Sequence, residues 1–384
     1  MLLKLLFRNA FRHRLRTLLT IGGIAVAILA FGLLRTVISA WYAGVEASSA
    51  SRLVTRNAIS LIFPLPISYK EKIRSVEGVG VVSYGNWFGG IYIDEKNFFA
   101  NFAIEPRTYF NLYSEYLLSD DETATFFRER KACVAGQKLA KRFGWNVGDT
   151  ITLRGTIFPG NWDFVLRGIY QGKDKTIDDN QFFFHWDYLN ETLKKTLPRR
   201  ADQVGFYMIG LKRPDQAAAT SEAVDGLFKN SYAETLTETE KAFQLSFVSM
   251  SEAIITVIQL VSYVIIVIIM AVVANTMAMS VRERMGEYAV FKTLGFGRGY
   301  LAGLILGESF TLTSLGGLLG IGVTFPTASA FARAVGQFFP VFHVSTETIL
   351  MDVAAAVIVG VVAAVIPIWR VVQVRIADGL GRIG

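Results

Sequence analysis

The residues with chemistry to offer are few and grouped. Arg284, Glu287, Tyr288, Phe291, Lys292, Leu294 and Gly295 fall in one run, 280–299, SVRERMGEYAVFKTLGFGRG. Charges of both signs recur there at helical steps, with Glu287 three residues after Arg284 and four after Glu283. Tyr288, Phe291 and Leu294 make an apolar ridge at helical spacing, and Gly295 and Gly297 end the helix. Such a segment suits a docking knob, a short polar helix whose ridge a partner's groove can bury. A solvated interfacial loop fits the spacing equally well. Elsewhere the chain offers no catalytic residues and no metal site. Gly172-Lys173 lacks the glycine five residues earlier and the following Ser or Thr that a phosphate-cradling loop needs. There is no GxSxG and no HExxH. His13, His185 and His343 are far apart, and the single cysteine, Cys133, allows no intramolecular disulfide.

The elements that must position this segment are apolar helices. Of the 384 residues, 52% are hydrophobic and 18% charged, against about 25% charged in soluble domains. Four stretches reach, or nearly reach, the roughly 20 apolar residues of a membrane span. They are 17–34, which continues past Arg35 to 42; 253–281, without a charge; 309–332, also without one; and 353–369, lengthened by 349–351. The first has the basic start of a leader peptide. Its apolar run is too long, and no small-residue cleavage site follows, so it reads as a span. No span carries a mid-membrane acid for proton relay, and Arg35 and Glu308 sit near span ends where snorkelling accounts for them.

Charge sets the orientation. Lys4, Arg8, Arg12, Arg14 and Arg16 precede the first span without an acid. Arg282, Arg284, Lys292 and Arg298 lie in the 282–308 loop, and Arg370, Arg375 and Arg382 in the tail. Both termini and that loop are therefore expected in the cytoplasm, and 46–252 outside. The outer segment holds 25 Lys and Arg against 26 Asp and Glu, so the chain's net +7 lies entirely on the inner side. A nucleic-acid partner is excluded, because no basic patch is left to explain.

The expected fold is an α-helical membrane protein with four transmembrane helices and an α+β extracytoplasmic domain inserted between helices 1 and 2. Residues 1–45 hold an amphipathic N-terminal helix and the first span, 46–235 the outer domain, and 236–384 a stalk, spans 2–4 and a coupling helix over 282–296. Strands are expected at 79–83, 90–93, 150–153, 164–170 and 206–211, and helices at 68–76, 131–143 and 214–229. Leu236, Phe243, Phe247, Met250 and Ile254 form a helical stripe that runs into the second span without Gly or Pro. It reads either as a stalk or as an amphipathic helix packed on its own domain. Lys4, Arg8, Arg12 and Arg16 line one stripe of 2–16 and Leu3, Phe7, Phe11 and Leu15 the next, which suits an inner-leaflet surface helix. Gly23, Gly316, Gly320 and Gly360 sit in small-xxx-small patterns that let helices approach closely, between chains or within one.

The run from Arg284 to Gly295 resembles the cytoplasmic motif of FtsX/MacB-type ABC transporter permeases. The stretch 308–322, ESFTLTSLGGLLGIG, is similar to that family's third span. Residues 134–151 and 164–169 resemble its extracytoplasmic domain, and Ile366-Pro367-Ile368-Trp369-Arg370 its last-span exit. The family's tail proline near Ile376 is missing, as is the ATPase domain fused in the macrolide exporters. The resemblance implies a non-catalytic subunit that binds no cofactor, with ATP and magnesium held by a separate cytoplasmic ABC ATPase. It implies a second permease, identical or a sister chain, an inner-membrane location, and in export systems a periplasmic adaptor. ATP-driven closure of the ATPases would be passed through the spans to the outer domains for efflux. The alternatives are an FtsX-like regulator of cell-wall hydrolases or a lipoprotein-releasing permease. A sensor would need a larger cytoplasmic output than the 282–308 loop and the tail supply.

Overall fold

The computed structural model describes residues 11–174, 176–335, 339 and 341–373. Most of the expected 2–16 helix, and the tail with Arg375, Ile376 and Arg382, lie outside them. The described residues form two compact units. One takes in the chain up to residue 40, residues 251–334 and the chain from 342; the other takes in 41–250 and 335–341.

The first unit is built on four helices long and apolar enough to cross a membrane: Arg14–Ala47, Glu252–Glu283, Arg298–Val335 and Thr346–Gln373. Their facing sides bury Ile24, Ile28, Val273, Met277, Ile305, Val359 and Ala363. Lipid is as apolar as these side chains, so close packing has to hold such helices together, and small residues permit it. A Cβ on Gly316 would lie 2.6 Å from Ile24 Cβ, one on Gly320 would lie 2.7 Å from the Ala25 carbonyl, and one on Gly360 would lie 2.5 Å from Thr313 Oγ1. A Cβ on Gly23 would stand 3.5 Å from Ile269 Cδ1, an ordinary contact. Gly316, Gly320 and Gly360 are thus used for close approach between spans of one chain, and of the two uses their spacing allowed, this structure displays the intrachain one; at Gly23 an alanine would fit as well.

The second unit is α+β. Its large sheet runs in the order Thr235–Thr239, Arg52–Asn57, Phe206–Leu211, Val79–Trp87, Ala100–Ile104, Gln181–His185, Ala132–Gly136, Gly160–Gly172, Thr150–Gly155, Gly90–Ile91. Pairing is antiparallel except for Gln181–His185 on Ala100–Ile104 and Ala132–Gly136 on Gly160–Gly172. Both faces are covered, as the central strand shows: Phe182 and Phe184 enter one core cluster and Phe183 the other.

Two expectations are corrected. The helix read over 131–143 is a strand, Ala132–Gly136, followed by the helix Gln137–Phe143. Every residue of that strand is buried, so it lacks the alternation that identifies a half-exposed strand. The apolar stripe entering the second span is also not one unbroken helix. Leu236 falls in the strand Thr235–Thr239, the helix Glu240–Met250 ends, and Glu252–Glu283 begins after Ser251. Ser246 Oγ and Ser249 Oγ donate to the Phe243 and Ser246 carbonyls, competition that weakens the helix just before the break.

Candidate coupling site

The second-span helix stops at Arg284, and a nine-residue helix, Met285–Thr293, follows at once. Its far end closes because Gly295 adopts φ +88, the left-handed turn that glycine takes without strain. The Phe296 N–H then bonds the Phe291 carbonyl, and the Gly295 N–H bonds that of Lys292, the paired bonds of a Schellman ending.

Four sets of contacts hold this helix to the membrane unit. Arg284 Nε donates to Glu287 Oε2 and Nη1 to Glu308 Oε2, both at 3.0 Å. Glu308, in the third span helix, also accepts from Ser280 Oγ at 3.2 Å. Arg12, just before the first helix, pairs with Glu287, and Arg16 grips Glu283 through two bonds of 2.7 and 3.0 Å. Lys292 Nζ donates to the carbonyls of Val371 and Val372 at 2.9 and 3.2 Å. A cation suits those carbonyls, which belong to the last turn of the fourth helix. The short helix is therefore continuous with the second span, bonded to the third and fourth, and paired with the leading end of the first.

Burial raises the Glu287 carboxyl, but the bonds from Arg12 and Arg284 outweigh it and hold the group below the usual carboxylate range. Burial pushes the Tyr288 phenol up to about 12, so it stays neutral at physiological pH. The Arg284 guanidinium lies over its ring, 5.4 Å from the centroid.

The apolar ridge read from spacing divides in the structure. Tyr288 is only 1% exposed and belongs to the membrane unit's core, and Phe291 packs half-buried against it. Leu294 alone of the three faces outward, at 68% exposed, beside Val290, Phe296 and Tyr300. A free docking face therefore has Leu294 in common with the expected ridge and replaces Tyr288 and Phe291. Glu308, expected to snorkel at a span end, is instead buried and bound by Arg284 and Ser280, a correction that only the packing of the second and third helices could supply; the Arg12/Arg16 pairing went unread from sequence. The readable signal was Arg12 and Arg16 four apart, opposite Glu283 and Glu287 four apart, a ladder of matching period. Those arginines meet carboxylates here, where lipid headgroups were expected. Among the described residues no cluster could hold a metal ion.

Comparison with known proteins accounts for nearly the whole chain. Residues 260–376 match the FtsX-like permease C-terminal family model, and residues 17–227 the MacB-like periplasmic core domain. The chain belongs to the FtsX/MacB-type ABC transporter permeases. This permease is 26% identical, over 94% of its length and 92% of the relative's, to an uncharacterized ABC transporter permease of Methanocaldococcus jannaschii. It is 33% identical to the macrolide export ATP-binding/permease protein MacB of Psychrobacter cryohalolentis, over 29% of this permease and 16% of that protein. The extracellular domain of the ABC-type transporter YknZ from Gram-positive bacteria aligns with 49% of this permease and all of that chain, at 11% identity and TM-score 0.37. The short helix Met285–Thr293 lies inside the FtsX-like match.

Proposed function

We propose that this permease couples ATP hydrolysis in a separate cytoplasmic ABC ATPase, which holds the ATP and magnesium, to movement of its α+β domain outside the membrane, and so exports a substrate. The single observation that carries the reading is the anchoring of one short helix and its leading Arg284 to the second, third and fourth spans and to Arg12 just ahead of the first. A force applied there is shared by the whole membrane unit. The excess of Lys and Arg beside that helix and before the first span supports a cytoplasmic position for it and for both termini. Export is supported by the MacB relatives, whose name is macrolide export. A second permease, identical or a sister chain, has room along the second span helix, where Ile254, Val257, Leu260, Val264 and Val267 are exposed.

The docking face is Val290, Leu294, Phe296 and Tyr300, with Lys292 and Gly295 fixing its shape. Interfaces concentrate their energy in a few such anchors. The test is copurification of the tagged permease from its native membranes, with any ABC ATPase that travels with it identified by mass spectrometry. Leu294→Asp with Phe296→Asp is expected to reduce the recovered ATPase at least tenfold while permease yield is unchanged. Undiminished recovery overturns this docking face, and recovery of no ATPase with wild type overturns the proposed function.

A further inference from the structure

The chain passes between its spans and the α+β domain at two places, and both meet at one buried arginine. The first helix ends at Ala47, and five residues later Arg52 opens the strand Arg52–Asn57. The chain leaves through Thr235–Thr239, which pairs with that same strand, and Glu240 opens the helix Glu240–Met250. Arg52 Nε donates to Glu240 Oε2 at 2.7 Å, and the Ser49 N–H donates to the same oxygen at 2.9 Å. Tyr113 Oη donates to Glu240 Oε1 at 2.8 Å. Arg52 Nη1 reaches Glu115 at 2.7 Å and the Leu112 carbonyl at 3.0 Å. One turn outward, Gly44 lies against Gln244, where a Cβ would stand 3.3 Å from Oε1.

We propose that Arg52 and Glu240 form the joint that makes the outgoing and returning chain turn as one piece, and that Tyr113 carries that turn into the sheet. Arg52 is thus a positioning residue for the coupling proposed above, and the proposal rests on that reading.

Three features support it. The pair is buried, so its partners are not exchanged for water, and separating them exposes uncompensated charge to an apolar surround. Burial opposes the Arg52 charge, but Glu240 and Glu115 more than offset it and raise its pKa further. The joint also continues inward. The guanidinium sits 4.2 Å from the Tyr113 ring centroid, Tyr113 stacks on Tyr109 at 4.6 Å, and Tyr109 meets Phe183 at 5.4 Å. Phe183 lies in the central strand Gln181–His185.

The test uses the full permease with its ATPase in lipid nanodiscs, reading hydrogen exchange with and without ATP. Wild type is expected to change at 240–246 and also at 106–117. In Glu240→Gln, which keeps shape but loses charge, ATPase recovery and cooperative domain melting should persist. The ATP-dependent change at 106–117 should fall at least fivefold while that at 240–246 remains. Tyr113→Phe, which removes one hydroxyl, should give a smaller loss and serves as the measurement if Glu240→Gln does not fold. Glu115→Gln leaves the Arg52–Glu240 contact in place and should transmit as wild type does. Full transmission in Glu240→Gln, or in Tyr113→Phe where Glu240→Gln does not fold, overturns the joint, as does equal loss in Glu115→Gln. Wild type that holds its ATPase but shows no ATP-dependent change overturns the coupling reading, and the joint with it, before any variant is made.

Discussion

Arg52 and Arg284 sit in different units yet have the same surroundings: two glutamates and a tyrosine face. Arg52 binds Glu240 and Glu115 over Tyr113; Arg284 binds Glu287 and Glu308 over Tyr288. They differ in closure. Both partners of Arg52 are well covered, with side chains 9% and 18% exposed. Arg284 has one partner as buried as itself, Glu308, and one, Glu287, with 41% of its side chain exposed and Arg12 as a second ligand. The first arrangement fixes a geometry; the second leaves one leg open to exchange. The proposed coupling helix would have to answer to a partner and the proposed joint to keep its shape, and this difference fits those two tasks.

Removing the arginines is the strongest way to break this comparison. Arg52→Ala strands two covered carboxylates and is expected to destabilise the α+β domain by about 3–5 kcal/mol, read by thermal melting of the full permease through its tryptophan fluorescence. Arg284→Ala strands only Glu308, since Glu287 keeps Arg12, and is expected at the low end, about 3 kcal/mol, read by unfolding of the membrane unit in detergent. Equal losses in the two variants would erase the distinction between a closed and an open set of contacts. Glu287→Gln should cost less than about 1 kcal/mol of stability, because a half-exposed pair is screened by water. A loss of several kcal/mol would show that the open leg is as closed as the other.

The smallest expected effect is on pH. The folded Glu287 carboxyl lies below its ordinary value of 4.5. Its contribution is therefore fully present above about that pH and is lost as pH falls through the lowered folded value. Melting of wild type and Glu287→Gln, compared from pH 7 to 3, should give a constant difference down to about 4.5 that shrinks below it. A difference that shrinks between pH 7 and 5 would contradict the sign.

Residue types and their spacing were enough for the parts of this permease governed by long apolar runs and local chemistry. The spans follow from uncharged stretches too long for a soluble core, and the end of the coupling helix from Gly295, because only a glycine turns there freely. The motif from Arg284 to Gly295 placed the candidate site for the same local reason. Tertiary structure decided what depends on facing surfaces. A strand buried on both sides, Ala132–Gly136, carries no alternation to read. Tyr288 and Leu294 look alike along one ridge until the neighbouring spans cover one of them. Arg52 and Glu240 are 188 residues apart, and no local period links them. Only the pairing of Arg52–Asn57 with Thr235–Thr239 brings the two charges together, and only burial there turns an ordinary ion pair into a rigid one.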